Sequence, residues 1–372
     1  MFEAKRPYLI HFNAIKTEDQ LHIKAALVLR NPNKIIKLQA ENRRPSFPIQ
    51  AYKMLTGNNF VIKIVGLNEE RKQVFQQRFE SNSFGNFKIK VNLNNENKDL
   101  HFIEVYEVSS EQGIEFNMGT FIPNIIENPK KLIICDFDKT LVETKYSSTK
   151  EVYNSLTRPL EYFPTIPKSL EIVREYVDKG YHPFILSASP HFYEEAIRDW
   201  LYKNQIFTAG IFLKDYRHFF SISEGFLSPK DIKIQGLYKL NHLLDIIIMT
   251  GIPHELVLMG DNFESDPIIY LTLASLLLDQ NDPWVIWKQL QKQKVFALSG
   301  SQHSKFLNKI YKIKHIIKNS NVKSEIKIFI RKRHKETDID VPIKELRDKK
   351  SFIELYDAPP TSGPGKVEQL AE

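Results

Sequence analysis

The sequence predicts an α/β protein: a doubly wound parallel-sheet domain preceded by a small β-sandwich-like domain. Three observations predict it. Period-two alternation dominates residues 7–125. Beyond residue 130, short apolar runs alternate with helical segments. Those runs end abruptly in acids or hydroxyls, the pattern of buried parallel strands that deliver side chains to their carboxyl tips.

The first region, 1–125, alternates in Leu21-His22-Ile23-Lys24, Phe60–Ile64, Phe87–Val91 and Phe102–Tyr106. Turn signals separate these segments: Asn31-Pro32-Asn33, Thr56–Asn59, Phe84-Gly85-Asn86 and Asn94-Asn95. Short strands at this spacing predict a sandwich. Glu69–Glu80 is expected to form one helix.

The second region, 126–358, predicts strands at Leu132–Cys135, Pro183–Leu186, Gly210–Leu213, Leu256–Met259 and Glu325–Ile330. Between them, helices are expected at Pro167–Lys179, Pro190–Tyr202, Tyr238–Ile248 and Asp266–Leu278. In the first of these, Leu170, Val173, Tyr176 and Val177 share a face, and Gly180 supplies the stop. Residues 279–322 are extra to a minimal unit of this kind and are expected to be helical. Within them, Lys305, Lys309, Lys312, Lys314 and Lys318 interleave with apolar residues. The Pro- and Gly-containing tail 359–372 is expected to be disordered.

Composition bounds the function. The 372 residues suffice for two cores, and 52 Lys+Arg against 45 Asp+Glu give a net charge of +7. A basic balance suits an anionic partner such as phospholipid or nucleic acid, and also falls within the ordinary range for a soluble protein. One cysteine, Cys135, excludes an intrachain disulfide and reads as packing within a strand. No apolar core of signal-peptide type follows the N-terminus, and no run approaches ~18 apolar residues. The expectation is a cytoplasmic protein with no transmembrane segment, touching a membrane at most peripherally, through 305–318.

Chemistry is concentrated at the inferred strand tips. After Leu132–Cys135 comes Asp136-Phe137-Asp138-Lys139-Thr140. Two carboxylates two residues apart suit phosphoryl transfer through an aspartyl-phosphate. Asp136 would be the nucleophile, and Asp138 would protonate the leaving oxygen and then activate water. After Pro183–Leu186 come Ser187 and Ser189, candidate phosphate contacts; Ser189 can also be read as a helix N-cap before Pro190. After Leu256–Met259 come Gly260-Asp261 and Asp266. Acids there, facing Asp136 and Asp138, would form an oxygen-rich pocket for Mg²⁺. Asp266 can equally be read as the N-cap of a helix starting at Pro267. Lys239 is the candidate for holding the nucleophile and the transferring charge, with Lys230 and Lys233 as competitors.

Taken together, Asp136-x-Asp138-x-Thr140, Ser187, Lys239 and Gly260-Asp261…Asp266 resemble the haloacid dehalogenase superfamily in order and topology. Within it, Leu186–Pro190 with Phe192-Tyr193, Phe212–Tyr216, Val257–Asp261 through Tyr270, and Ile326–Arg331 resemble the phosphatidate phosphatases of the actin-patch-protein type and their bacterial relatives. The resemblance covers about 130–335. It departs at Lys139, where relatives carry a third acid, and at His191. It implies a haloacid dehalogenase-like Rossmannoid fold and a Mg²⁺-dependent phosphatase. Asp136, Asp138, Thr140, Ser187 and Lys239 would be catalytic, and Ser187, Ser189 and Lys239 would bind substrate. Asp136, Asp138 (through its carbonyl), Asp261 and Asp266 would hold the metal.

Residues 141–166 are too few for a full lid domain, so the site is expected to be open and to suit bulky substrates. The leading expectation is an anionic phospholipid, phosphatidate; nucleic acid is not expected as a partner. The alternatives are a phosphoprotein or nucleic-acid end as substrate, or an inactive module that binds a membrane or partner.

Overall fold

The computed structural model describes residues 5–30, 58–144, 160–214, 236–263, 265–279, 282–292, 296, 300–332 and 338–361. They form two units. The first lies within Met1–Glu127, together with Pro190–Ile197, and the second holds the described residues from Asn128 to Ser189, from Arg198 to Lys214 and beyond Gly236.

The first unit has eight described strands: β1 (Arg6–Lys16), β2 (Gln20–Arg30), β3 (Val61–Leu67), β4 (Gln73–Glu80), β5 (Asn86–Asn92), β6 (Phe102–Glu107), β7 (Phe116–Phe121) and β8 (Asn124–Ile125). They make two four-stranded sheets, β5-β2-β1-β8 and β4-β3-β6-β7. Pairing is antiparallel except between β1 and β8. In β5 the alternation is complete: Phe87, Ile89 and Val91 are buried, and Lys88 and Lys90 are exposed. These residues join Leu21, Ile23, Ile62, Ile64, Ile103 and Val105 in one apolar core fed by both sheets.

The helix expected over Glu69–Glu80 is not formed. Asn68–Lys72 makes a turn in which the Asn68 carbonyl accepts from Arg71 N–H and its side chain accepts from Lys72 N–H. β4 then runs back antiparallel along β3. Ladder pairing on a ready sheet edge overrides the weak helical spacing of Val74, Phe75 and Phe79.

The second unit is built on β9 (Lys131–Asp136), α1 (Pro167–Asp178), β10 (His182–Pro190), α2 (Glu194–Lys203), β11 (Gly210–Lys214), α3 (Gly236–Thr250), β12 (Glu255–Asp261), α4 (Asp266–Leu278), α5 (Pro283–Gln291), α6 (Gly300–Lys318), β13 (Glu325–Arg331) and β14 (Ile353–Tyr356). The six strands lie in the order β11-β10-β9-β12-β13-β14. β9 pairs in parallel with β10 and β12, and β13 pairs in parallel with β12 and β14. The chain leaves β9 toward β10 and later returns to its other side as β12. That reversal opens a crevice at the carboxyl tips of β9 and β12.

Two expectations of detail are corrected. The helix expected from Pro190 begins at Glu194, because β10 runs on to Pro190 and a 3₁₀ turn covers His191–Tyr193. A sixth strand, β14, follows the one taken as last; at four residues it is too short to announce itself. The residues beyond 278 have a structural reason. α4 is apolar around its whole circumference, with Ile269, Tyr270, Leu271, Leu273, Ala274 and Leu276 all buried. It therefore needs cover on every side, and α3, α6 and the 3₁₀ segment Lys344–Phe352 pack on it. α6 contributes buried Phe306, Ile310 and Ile313, and its Lys309 pairs with Asp245 of α3 at 2.8 Å. Of the expected disordered tail, 362–372 lies outside the described residues, and Thr361 N–H donates to the Thr165 carbonyl.

Candidate active site

β9 ends in Asp136, β12 ends in Asp261, and α4 opens on Asp266. One carboxylate oxygen of each lies within 4.8 Å of the others, and all three residues are buried. Gly260 permits this approach. A Cβ there would stand 2.5 Å from Asp266 Oδ2 and 2.7 Å from the Tyr270 ring.

Lys239, in the first turn of α3, reaches into the cluster. Its Nζ lies 2.9 Å from Asp136 Oδ1 and 2.6 Å from Asp266 Oδ1, and it is 1 % exposed. An ammonium so deeply buried is tolerable only among carboxylates. Asp266 Oδ2 also accepts the Asp261 backbone N–H, at 3.2 Å. The side chain of Asp266 is thus turned to the cluster, and the N-cap position of α4 is Ser265.

Asp138 is held from two sides. Ser187 Oγ donates to its Oδ2 at 2.6 Å, and Thr144 Oγ1 donates to its Oδ1 at 3.0 Å. The Ser187 hydroxyl also accepts the Ser189 N–H at 3.0 Å. Ser189 lies within β10 rather than capping a helix. Thr140 Oγ1 stands 3.5 Å from Asp136 Oδ2. Burial pushes the neighbouring thiol of Cys135 and the hydroxyl of Tyr270 well above their ordinary pKa ranges. Tyr270 donates to the Met259 carbonyl at 2.9 Å, bracing the strand that ends in Asp261.

Six of the residues expected from sequence are brought together: Asp136, Asp138, Ser187, Lys239, Asp261 and Asp266, with Thr140 beside them. Lys230 and Lys233 lie outside the described residues, as do most of residues 141–166, the stretch expected to be too short for a full lid domain. Thr144 was missed, for nothing in its spacing from Asp138 announces a partner. The three carboxylates offer oxygen ligands, which suit a hard cation. Three carboxylates against one ammonium leave an excess of negative charge, which a divalent cation would answer. The arrangement offers a buried carboxylate beside a cation and a second carboxylate on a fixed hydrogen-bond frame.

No curated protein matches the chain. Among solved structures, a chain of the Pnkp1/Rnl/Hen1 complex is 17% identical, covering 41% of this chain and 50% of that one, with a TM-score of 0.26. A β-glucuronidase from Parabacteroides merdae is 12% identical, covering 86% of this chain and 33% of that one, also at 0.26. The chain therefore spans half and a third of their respective lengths. Residues 131–281 match the family model described as "Phosphatidate phosphatase APP1, catalytic domain". Asp136, Asp138, Thr140, Ser187, Lys239, Asp261 and Asp266 all fall inside that segment.

Proposed function

We propose that this protein is a Mg²⁺-dependent phosphomonoesterase of the haloacid dehalogenase type that acts on phosphatidate, giving diacylglycerol and phosphate. The observation that carries the reading is the convergence of Asp136, Lys239, Asp261 and Asp266 inside the segment that matches the phosphatidate phosphatase family.

Asp136, Asp261 and Asp266, with the carbonyl of Asp138, would hold Mg²⁺. When bound, the ion would neutralise charge on the substrate phosphate. The chain's own residues do the rest. An oxygen of Asp136 attacks phosphorus and the P–O ester bond breaks. The leaving alkoxide takes its proton from the Asp138 carboxyl. Asp138, now a carboxylate, then takes a proton from water; the hydroxide attacks phosphorus and breaks the bond to Asp136, releasing inorganic phosphate. Ser187 and Thr144 fix the Asp138 carboxyl through both steps, and Lys239 holds Asp136 while balancing charge.

The substrate would be met from a membrane surface, by a protein of the cytoplasm. Among the described residues no helix is long and apolar enough to cross a membrane. α6 leaves Lys305, Tyr311, Lys312 and Lys318 exposed, a face that anionic lipid would attract by about 1 kcal/mol per nearby cation.

The test is phosphate release with Mg²⁺ from phosphatidate in mixed micelles, beside a phosphopeptide and a 3′-phosphorylated oligonucleotide, with Asp136→Asn as blank. Preferential release from phosphatidate supports the proposal. Release from another of the three alone keeps the mechanism and discards the lipid. Release from none, or equal release by Asp136→Asn, discards the mechanism.

A further inference from the structure

The ladder between β9 and β12 stops short of the site. Its last paired residues are Cys135 and Met259. Asp136 and Asp261 lie beyond it. Arg331 ends β13 in register with Asp261, and it lies outside the family-matched segment.

Arg331 touches the loops that follow Asp136 and Asp261. Its backbone carbonyl accepts the Asn262 N–H at 3.0 Å, and its guanidinium lies over the Phe263 ring, 5.4 Å from the centroid. On the other side, Nη1 donates to the Lys139 carbonyl at 2.6 Å and stands 2.7 Å from the Glu143 carboxylate. Nε donates to the Ala358 carbonyl at 2.9 Å, which fixes the direction of the fork. The side chain is buried. Lys139 sits at φ +60°, a left-handed backbone that a lysine adopts only when its surroundings hold it there. The holding contacts are its N–H to the Val142 carbonyl, at 2.7 Å, and its carbonyl to Arg331.

We propose that Arg331 is a positioning residue for this site: it ties the loop that follows Asp136 and Asp138 to the loop that follows Asp261, and so sets the separation of the carboxylates that face the metal. The proposal rests on the functional reading above for its chemistry. A planar guanidinium can serve a carbonyl on each side and a carboxylate together; a lysine ammonium on a flexible stem cannot keep that geometry. The strand after the matched segment is then part of the catalytic machinery's frame.

The experiment compares wild type, Arg331→Met, Arg331→Lys and Glu143→Gln. Phosphate release from p-nitrophenyl phosphate gives kcat and KM, Mn²⁺ binding without substrate is measured by calorimetry, and a thermal melt reports the folded fraction. Arg331→Met should lose roughly 10²-fold in kcat, as a displaced site does. Its KM should stay within a few-fold, and its Mn²⁺ affinity should fall by at least about tenfold, as loss of a supporting contact implies. Arg331→Lys should resemble Arg331→Met, and Glu143→Gln should fall between it and wild type. Wild-type behaviour of Arg331→Lys would overturn the proposal, because charge alone would then suffice. So would unchanged Mn²⁺ affinity in Arg331→Met, or losses of activity no larger than the loss of folded protein. Should Arg331→Met fail to fold, Arg331→Lys carries the test. A wild type that binds Mn²⁺ but releases no phosphate sinks the functional reading instead, and the calorimetry still decides on Arg331.

Discussion

The two units handle buried polarity in opposite ways. In the β unit, Glu107 is buried yet serves its own neighbourhood, accepting from the N–H groups of Ser109 and Ser110. The sheet core around it is apolar; His11, which meets Glu194, is an exception to the local rule. In the α/β unit, Asp136, Asp138, Ser187, Lys239, Asp261 and Asp266 are buried together although they come from distant parts of the chain. Ser187 reaches Asp138 across 49 residues, and Lys239 reaches Asp266 across 27. Burying such groups costs stability, and local turns need no such gathering. Long-range convergence of three buried carboxylates, two of them on one ammonium, rather than burial of polar groups as such, is what sets this cluster apart.

The largest expected effect tests that contrast directly. Asp136→Asn should lower phosphate release by roughly 10³-fold or more, because the proposed nucleophile would act as a unit with its partners. Removal of divalent metal with EDTA should abolish turnover, and added Mg²⁺ should restore it. Lys239→Met should do more than slow the reaction. It leaves Asp136 and Asp266 buried without their cation, a loss of about 3–5 kcal/mol. Added Mg²⁺ should raise its melting temperature more than that of wild type. If Mg²⁺ stabilises both equally, the ion and the lysine are not answering the same excess charge.

Two smaller changes sharpen the comparison. Gly260→Ala should push Asp266 aside, since the new Cβ has nowhere to go. Overpacking of this kind costs typically ~1–3 kcal/mol, and the turnover number should fall further than stability does. Ile64→Ala, in the core of the β unit, should cost about 2–5 kcal/mol. Its turnover number per folded molecule should stay at the wild-type value, read from active-site titration beside the melt.

Much of this was legible in the chain. Strands β9, β10, β11 and β12 announce themselves as apolar runs closed by Asp136, Ser187, Lys214 and Asp261, because a parallel strand buried on both faces has little reason to be polar before its tip. Gly260 before Asp261 was visible; its steric role was not, because it depends on where α4 begins. β4 was misread because Val74, Phe75 and Phe79 have no clean period, and the sheet edge that claims them lies elsewhere in the sequence. Thr144 and Arg331 escaped for a related reason. Hydrogen bonds to a carboxylate or a carbonyl across loops leave no spacing to read.

The smallest expected effect concerns Cys135, which sits one residue before the proposed nucleophile. Its thiol is buried, and desolvation with the nearby Asp136 and Asp266 charges holds its pKa well above the usual range, against the weaker opposing pull of Lys239. The thiolate is the reactive form. At pH 8 an exposed cysteine would be partly ionised, whereas Cys135 should remain a thiol. Native protein should therefore resist iodoacetamide over hours, and urea-unfolded protein should take up one equivalent at the ordinary rate. Rapid native labelling would mean that the strand carrying Asp136 opens readily. The contrast between a rigid, charge-laden strand tip and an ordinary apolar core would then have to be redrawn.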